Sequence, residues 1–160
     1  IVREHDCGTH EGIEVEDITI NEIGDLYAFK NEKINDSIGV IVNIGHNITT
    51  VSLFNKGIIV KNSILQMGGS NITNDLSYIF KLDNLDAEMV KEKFAVASSN
   101  YASCNDIIEI KNIKLNQKEV SEVVESRLDE ILTFVKKEIF SLRVFGRIPV
   151  FYLLSLRIKL

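Results

Sequence analysis

The chain has 160 residues, of which 45% are hydrophobic and 26% are charged, with a formal net charge of −5. It is long enough to bury a substantial single core, and its acidic balance gives no electrostatic reason to expect a nucleic acid partner. Two cysteines, Cys7 and Cys104, are too few for a disulfide framework, and they predict a reducing cytoplasm.

The first 37 residues are expected to lead into the main fold. Within them, Ile18–Phe29 is predicted to be extended or mixed and Lys30–Ser37 to be a polar loop. This region also holds His5, Cys7 and His10, to which Cys104 would be the fourth candidate metal ligand. Because their spacing is not that of a zinc site, we predict no metal there.

The stretch from Gly39 to Leu76 is the most informative part of the sequence. Its β-branched and apolar runs, separated by glycine turns, predict three strands followed by a helix. These elements are a strand from Gly39, a turn at Gly45, a strand at Thr49–Phe54, a turn at Asn55–Gly57, a strand at Ile58–Leu65, and the pair Gly68–Gly69 before a helix at Ile72–Phe80.

Further along the chain, hydrophobic periodicity and capping residues predict two more helices and two strands. They are a helix at Leu85–Ala97, a strand at Ile107–Ile113, a long helix from Asn116 to about Ile139, and a strand at Val150–Leu154. Two alternatives to this last strand stay open: a truncated or altered terminus, and a short amphipathic membrane contact, since arginines and a lysine flank the segment.

The order of elements from Gly39 to Leu76 resembles the second phosphate-binding hairpin of the actin and Hsp70 superfamily. The run Gly68–Leu76 and the motif Ala87-Glu88-x-x-Lys91 are most similar to the FtsA family of bacterial cell-division proteins. The resemblance implies an α/β fold, an incomplete actin-like (ribonuclease H-like) lobe with a mixed β-sheet whose hairpins are covered by helices. The lobe would comprise residues 38–160, with the sheet at 38–66 and a helical subdomain at about 70–142.

The resemblance also implies nucleotide contacts, and it assigns ATP and magnesium as cofactors. The implied contact residues are Asn43, Gly45, Gly68, Gly69, Glu88 and Lys91. Two plainer interpretations stay open: the glycine pair as an ordinary strand-to-helix turn, and Glu88–Lys91 as a surface i,i+3 ion pair.

The turn after the first strand departs from the superfamily pattern. Asn43 stands where an aspartate is usual, His46 and Asn47 replace glycines, and no acid occurs from position 43 to position 50. Magnesium and an attacking water favour anionic oxygen, so the turn argues against efficient hydrolysis. We therefore assign no catalytic residue.

As a member of the FtsA family, the protein would be an ATP-binding adaptor that assembles like actin. It would link an FtsZ-type division protein to the cytoplasmic face of the inner membrane through a peripheral contact. The alternatives are another member of the superfamily, of the pilus-assembly or chaperone type, and a degenerate interaction module that binds no nucleotide.

Overall fold

The computed structural model describes residues 19–28, 37–141 and 150–154. In chain order its elements are α1 (Asn21–Ala28), β1 (Ile38–Ile44), β2 (Thr49–Asn55), β3 (Ile58–Leu65), α2 (Gly69–Phe80), α3 (Asn84–Phe94), a short 3₁₀ helix (Ser99–Tyr101), β4 (Ile107–Ile110), β5 (Ile113–Asn116), α4 (Gln117–Ser141) and β6 (Val150–Leu154).

The main sheet has four strands in the order β3-β2-β1-β6. Its first three strands pair antiparallel, whereas β6 runs parallel to β1, so the sheet is mixed. Val40 lies opposite Leu53 and Val42 lies opposite Val51, which places branched side chains together on one face. The α/β class and the mixed sheet are confirmed.

The side chains of this sheet pack on both of its faces. On one face, Val40, Val42 and Val51 form a cluster with Ile131 and Val135 of α4. On the other face, Leu26 of α1 packs against Ile41 and Phe54. α1 is thereby held against the strand that leads to the turn at Gly45.

A second cluster fills the space between the helices and the small β4-β5 sheet. It is entirely apolar, and its buried members are Ile72, Leu76, Leu82, Ala87, Val90, Ala95, Ile108, Ile110, Leu115, Val120, Val124 and Leu128. α4 contributes side chains to this cluster and also to the sheet cluster of Val40, Val42 and Val51. It therefore joins the two clusters.

Two predictions about local structure are corrected. Residues 21–28, predicted to be extended or mixed, form the helix α1, and its Leu26 is buried against the sheet. The predicted strand Ile107–Ile113 is two antiparallel strands, since the chain reverses after Ile110 and Lys111 takes φ 48°. The predicted loop from Lys30 and the candidate ligands His5, Cys7 and His10 lie outside the described residues.

The remaining predicted elements are confirmed, some of them with shifted ends. α2 starts three residues earlier than predicted, at Gly69, and α3 ends three residues earlier, at Phe94. Asn116 precedes α4, and its Oδ1 accepts a hydrogen bond from the N–H of Lys118 at 2.8 Å. No helix in the described ranges has the length and apolarity needed to cross a bilayer.

Candidate functional site

The turn between β1 and β2 is tight and depends on Gly45. The Gly45 N–H donates to the carbonyl oxygen of Ile48 at 2.8 Å, and a Cβ on Gly45 would lie 2.9 Å from that same oxygen. The side chains of His46, Asn47 and Ile48 are exposed. The turn therefore has a fixed backbone and presents its side chains outward.

This turn is joined to the beginning of α2. The Gly69 N–H donates to the carbonyl of Gly45 at 2.9 Å, and the Ser70 N–H donates to the carbonyl of His46 at 2.7 Å. The two N–H groups belong to the first turn of a helix, where no intrahelical acceptor exists. The turn carbonyls satisfy them, and the two segments form one unit.

Gly68 is the residue at which the backbone before α2 comes closest to the backbone of the turn. A Cβ there would lie 2.5 Å from the Gly45 carbonyl oxygen and 2.7 Å from that of His46. Its φ of −170° is ordinary extended backbone, so close approach rather than conformation requires glycine. Gly69 is less constrained, because its nearest neighbour would be Lys91 Nζ at 3.6 Å.

Glu88 and Lys91 of α3 lie directly beneath the start of α2. The Lys91 ammonium donates to the Gly69 carbonyl at 3.3 Å, to Thr73 Oγ1 at 2.8 Å and to Glu88 Oε2 at 2.6 Å. The Thr73 hydroxyl also contacts Glu88 Oε2. The Lys91 side chain is 1% exposed and that of Glu88 is 32% exposed. The pair is thus an internal link between helices, and its interpretation as a surface ion pair is wrong.

The electrostatic effect of this link is visible at Glu88. Desolvation by burial is the largest single influence and raises the pKa of the carboxyl group. Hydrogen bonds from Lys91 and Thr73, together with the charge of Lys91, outweigh it and leave the pKa of Glu88 below its ordinary value of 4.5. Glu88 is therefore an anionic acceptor held in one position, with part of its surface open to solvent.

Asn43 lies two residues before Gly45 and is half-buried. Its side-chain Nδ2 donates to Asp25 Oδ2 of α1 at 2.8 Å. Asp25 is not predicted from the sequence, because its 18-residue separation from Asn43 leaves no local pattern that pairs the two positions. The contact follows from the packing of α1 on β1.

The structure thus places the six predicted site residues as follows. Gly45, Gly68 and Gly69 meet at the junction, Lys91 contacts the junction from below, and Glu88 is bonded to Lys91. Asn43 leads into the turn. Their nucleotide contacts stay predictions, and the ammonium of Lys91 is already engaged within the protein.

Candidate metal ligands are sparse in the part of the chain that the structure describes. It contains no group of three or more histidine, cysteine or acidic side chains arranged to hold a metal ion. The thiol of Cys104 is free and exposed.

A groove of about 690 Å³ lies between α2 and α4. Apolar and charged side chains line it together; the lining residues are Asp75, Ile79, Phe80, Glu119, Glu122, Val123, Ser126, Arg127 and Glu130. Arg127 joins the two helices through Asp75, with Nε–Oδ2 and Nη2–Oδ1 distances of 2.5 and 2.9 Å, and it also contacts Glu130.

The mixed sheet, the linked turn and helix, and the helical cover define an actin-like lobe. Solved structures share this fold. MreB 5 of Spiroplasma citri bound to AMPPNP superposes with a TM-score of 0.63 at 18% identity over 76% of this chain and 40% of its own. The PilM-PilN type IV pilus biogenesis complex gives a TM-score of 0.62 at 17% identity over 87% of this chain and 35% of its own.

The family model for cell division protein FtsA matches residues 40–148, and the chain belongs to this family. It is 32% identical to the FtsA protein of Bacillus subtilis over 147 residues, which is 86% of this chain and 33% of that protein. It is 27% identical to the FtsA protein of Pseudomonas aeruginosa over 139 residues, or 83% of this chain and 33% of that protein. The chain therefore spans about one third of the length of these relatives.

Proposed function

We propose that this chain is the part of an FtsA-type division adaptor that forms one wall of an ATP site. The observation that carries the proposal is the junction at Gly68, where the Gly45–His46 turn and the start of α2 are joined by two backbone hydrogen bonds. The N–H groups of Gly69 and Ser70 are used within the junction, so the support for a phosphate is the positive end of the α2 dipole beside a fixed turn. Membership of the FtsA family and an AMPPNP-bound structural neighbour support it.

Within this wall, Glu88 would accept hydrogen bonds from the hydroxyl groups of the nucleotide. Its carboxylate is partly exposed and is kept in place by Lys91 and Thr73. Lys91 would act mainly through Glu88, because its ammonium has three partners inside the protein. Magnesium would be held by oxygen atoms near Asn43 and by the phosphates, as is usual for this ion.

ATP would serve as a structural ligand that is hydrolysed slowly. The turn from Asn43 to Thr50 has no carboxylate to orient a magnesium-bound water or an attacking water. Binding that stabilises one arrangement of two lobes is enough to control assembly. We propose that bound ATP favours self-association and that the protein links an FtsZ-type partner to the cytoplasmic face of the inner membrane through a peripheral contact.

The α2–α4 groove is the proposed docking surface for that partner. Its lining combines the apolar side chains of Ile79, Phe80 and Val123 with charged ones, among them the Asp75–Arg127 pair. Apolar side chains beside charged ones are common in protein–protein contacts.

The ATP proposal predicts a specific loss in one variant. Glu88→Gln is expected to weaken ATP binding by roughly tenfold, because the neutral amide loses the charge-assisted acceptor. Isothermal titration calorimetry of the intact protein with ATP and magnesium measures this affinity. Glu92→Gln, on an exposed position of the same helix, is the matched control and should bind as the wild type does.

Absence of heat at millimolar ATP with the folded intact protein would contradict the ATP proposal. That result would favour the second candidate function, an interaction module without nucleotide. The observation behind this candidate is that His46 and Asn47, rather than glycines, occupy the exposed tip of the turn.

The docking proposal is tested at neighbouring positions of α2. Ile79→Glu replaces an apolar side chain of the groove lining with a charge and is expected to reduce co-sedimentation with polymers of the FtsZ-type protein from the same organism by about tenfold. Tyr78 is 86% exposed and does not line the groove, so Tyr78→Glu should leave binding unchanged. Equal binding by both variants would show that the partner docks elsewhere.

A further inference from the structure

Asp25 brings a carboxylate to the turn that has none of its own. No acid occurs from position 43 to position 50, yet Asp25 Oδ2 lies 2.8 Å from Asn43 Nδ2. α1 is held there by Leu26, which is 7% exposed and packs with Ile41 and Phe54 of the sheet. The position of the carboxylate is therefore set by core packing.

The contact also fixes which atoms stay available to a ligand. Asn43 donates through Nδ2, so its amide oxygen is not used in this bond. Among the described residues, Asp25 has no ion pair, and its Oδ1 makes no hydrogen bond. A half-buried carboxylate without a nearby cation retains its attraction for an external one.

The other carboxylates around the site are already engaged. Glu88 is neutralised by Lys91, and Glu22 accepts a hydrogen bond from Asn62. Asp25 differs from both of these acids. It accepts a hydrogen bond from the strand that enters the turn, and it has no cationic partner among the described residues.

We propose that Asp25 supplies the anionic oxygen of the magnesium–nucleotide site, acting together with the amide oxygen of Asn43. The inference rests on the proposed binding of ATP. The donor chemistry fits, because magnesium in nucleotide sites takes one or two carboxylates together with waters and phosphate oxygens. Asp25 thereby replaces, from a helix, the charge that position 43 lacks.

The test compares ATP affinity with and without magnesium in two charge-neutralising variants of the intact protein. Asp25→Asn keeps an acceptor for Asn43 Nδ2 and removes only the charge. We expect it to lose the magnesium-dependent part of the affinity, about tenfold, and to bind metal-free ATP at least as well as the wild type. Asp129→Asn, at an exposed position of α4, removes the same charge elsewhere and should change neither value.

A double variant that exchanges the two residues, called the swap variant, separates the effect of the charge from the effect of the hydrogen bond. Asp25→Asn combined with Asn43→Asp reverses donor and acceptor, keeps the net charge and returns the carboxylate to the strand. We expect this double variant to recover the magnesium-dependent affinity that Asp25→Asn loses. It also carries the test if Asp25→Asn alone does not fold.

The outcomes separate this inference from the proposed function. Failure of the wild type to bind ATP at all would overturn the proposed function. ATP binding that magnesium strengthens equally in the wild type, Asp25→Asn and the swap variant would overturn the role of Asp25 and leave ATP binding intact.

Discussion

Gly68 lies where the turn after β1 and the start of α2 approach within a few ångströms. Any side chain there would meet two carbonyl oxygens of the turn backbone, at 2.5 and 2.7 Å from its Cβ. Backbone atoms cannot move aside as the end of a flexible side chain can. A side chain no larger than a hydrogen atom is thus a condition for the candidate site to exist.

Gly68→Ala is therefore expected to lower the free energy of unfolding by about 1–3 kcal/mol, because the added methyl group forces the turn and the helix apart. Urea denaturation followed by circular dichroism measures the change. Gly24→Ala is the control, since a Cβ at this α1 position meets nothing within 4 Å. That variant should gain roughly 0.5–1 kcal/mol, and an equal loss in both would contradict the steric argument.

At the scale of elements, the contact between α2 and α4 is reinforced by one ion pair. Arg127 meets Asp75 with both Nε and Nη2, and this hydrogen bonding is the largest reason that the pKa of the Arg127 guanidinium is raised. The two side chains are 27% and 26% exposed. Partial burial and two parallel bonds make this pair stronger than a freely exposed one.

A double-mutant cycle of Asp75→Asn and Arg127→Gln is expected to give a coupling energy of about 1 kcal/mol. The same cycle at Lys111 and Asp83, whose side chains are 66% and 55% exposed, provides the comparison. Solvent screens that pair, so its coupling should be close to zero. A larger coupling at Lys111 than at Arg127 would show that burial does not control the strength of these pairs.

At the scale of the whole molecule, α4 joins two parts of the core. Val120, Val124 and Leu128 pack in the helical cluster, whereas Ile131 and Val135 pack under the sheet. A continuous helix transmits the loss of packing at one end to the other. The two clusters are therefore expected to unfold together.

Asp129→Pro interrupts α4 between these two sets of contacts, at an exposed position. It is expected to destabilise the fold by about 3 kcal/mol and to separate the two clusters. Hydrogen exchange with mass spectrometry should then give different opening free energies for β1–β2 and for β4–β5, whereas the two values are expected to be equal in the wild type. Asp129→Ala keeps the helix, so the two opening free energies should stay equal in that variant. Unequal opening free energies in the wild type would contradict the proposed coupling of the two clusters.

The elements that the sequence predicted correctly are those whose signal is local. The strands at Thr49–Asn55 and Ile58–Leu65 follow from β-branched runs on either side of a glycine turn, and α4 follows from its apolar periodicity. The helix at Asn21–Ala28 was missed because one buried residue, Leu26, leaves almost no periodic pattern. The β4-β5 hairpin was missed because Lys111, not glycine, takes the left-handed conformation at its turn.

The family, the strand order through the first two hairpins and the glycines of the candidate site follow from the amino-acid sequence, since they depend on neighbouring residues. The burial of Lys91 beneath Gly69 and the contact of Asp25 with Asn43 arise only in the folded chain. Both contacts join residues that are distant in the chain. Their geometry is set by how helices pack on the sheet, and no local pattern encodes such packing.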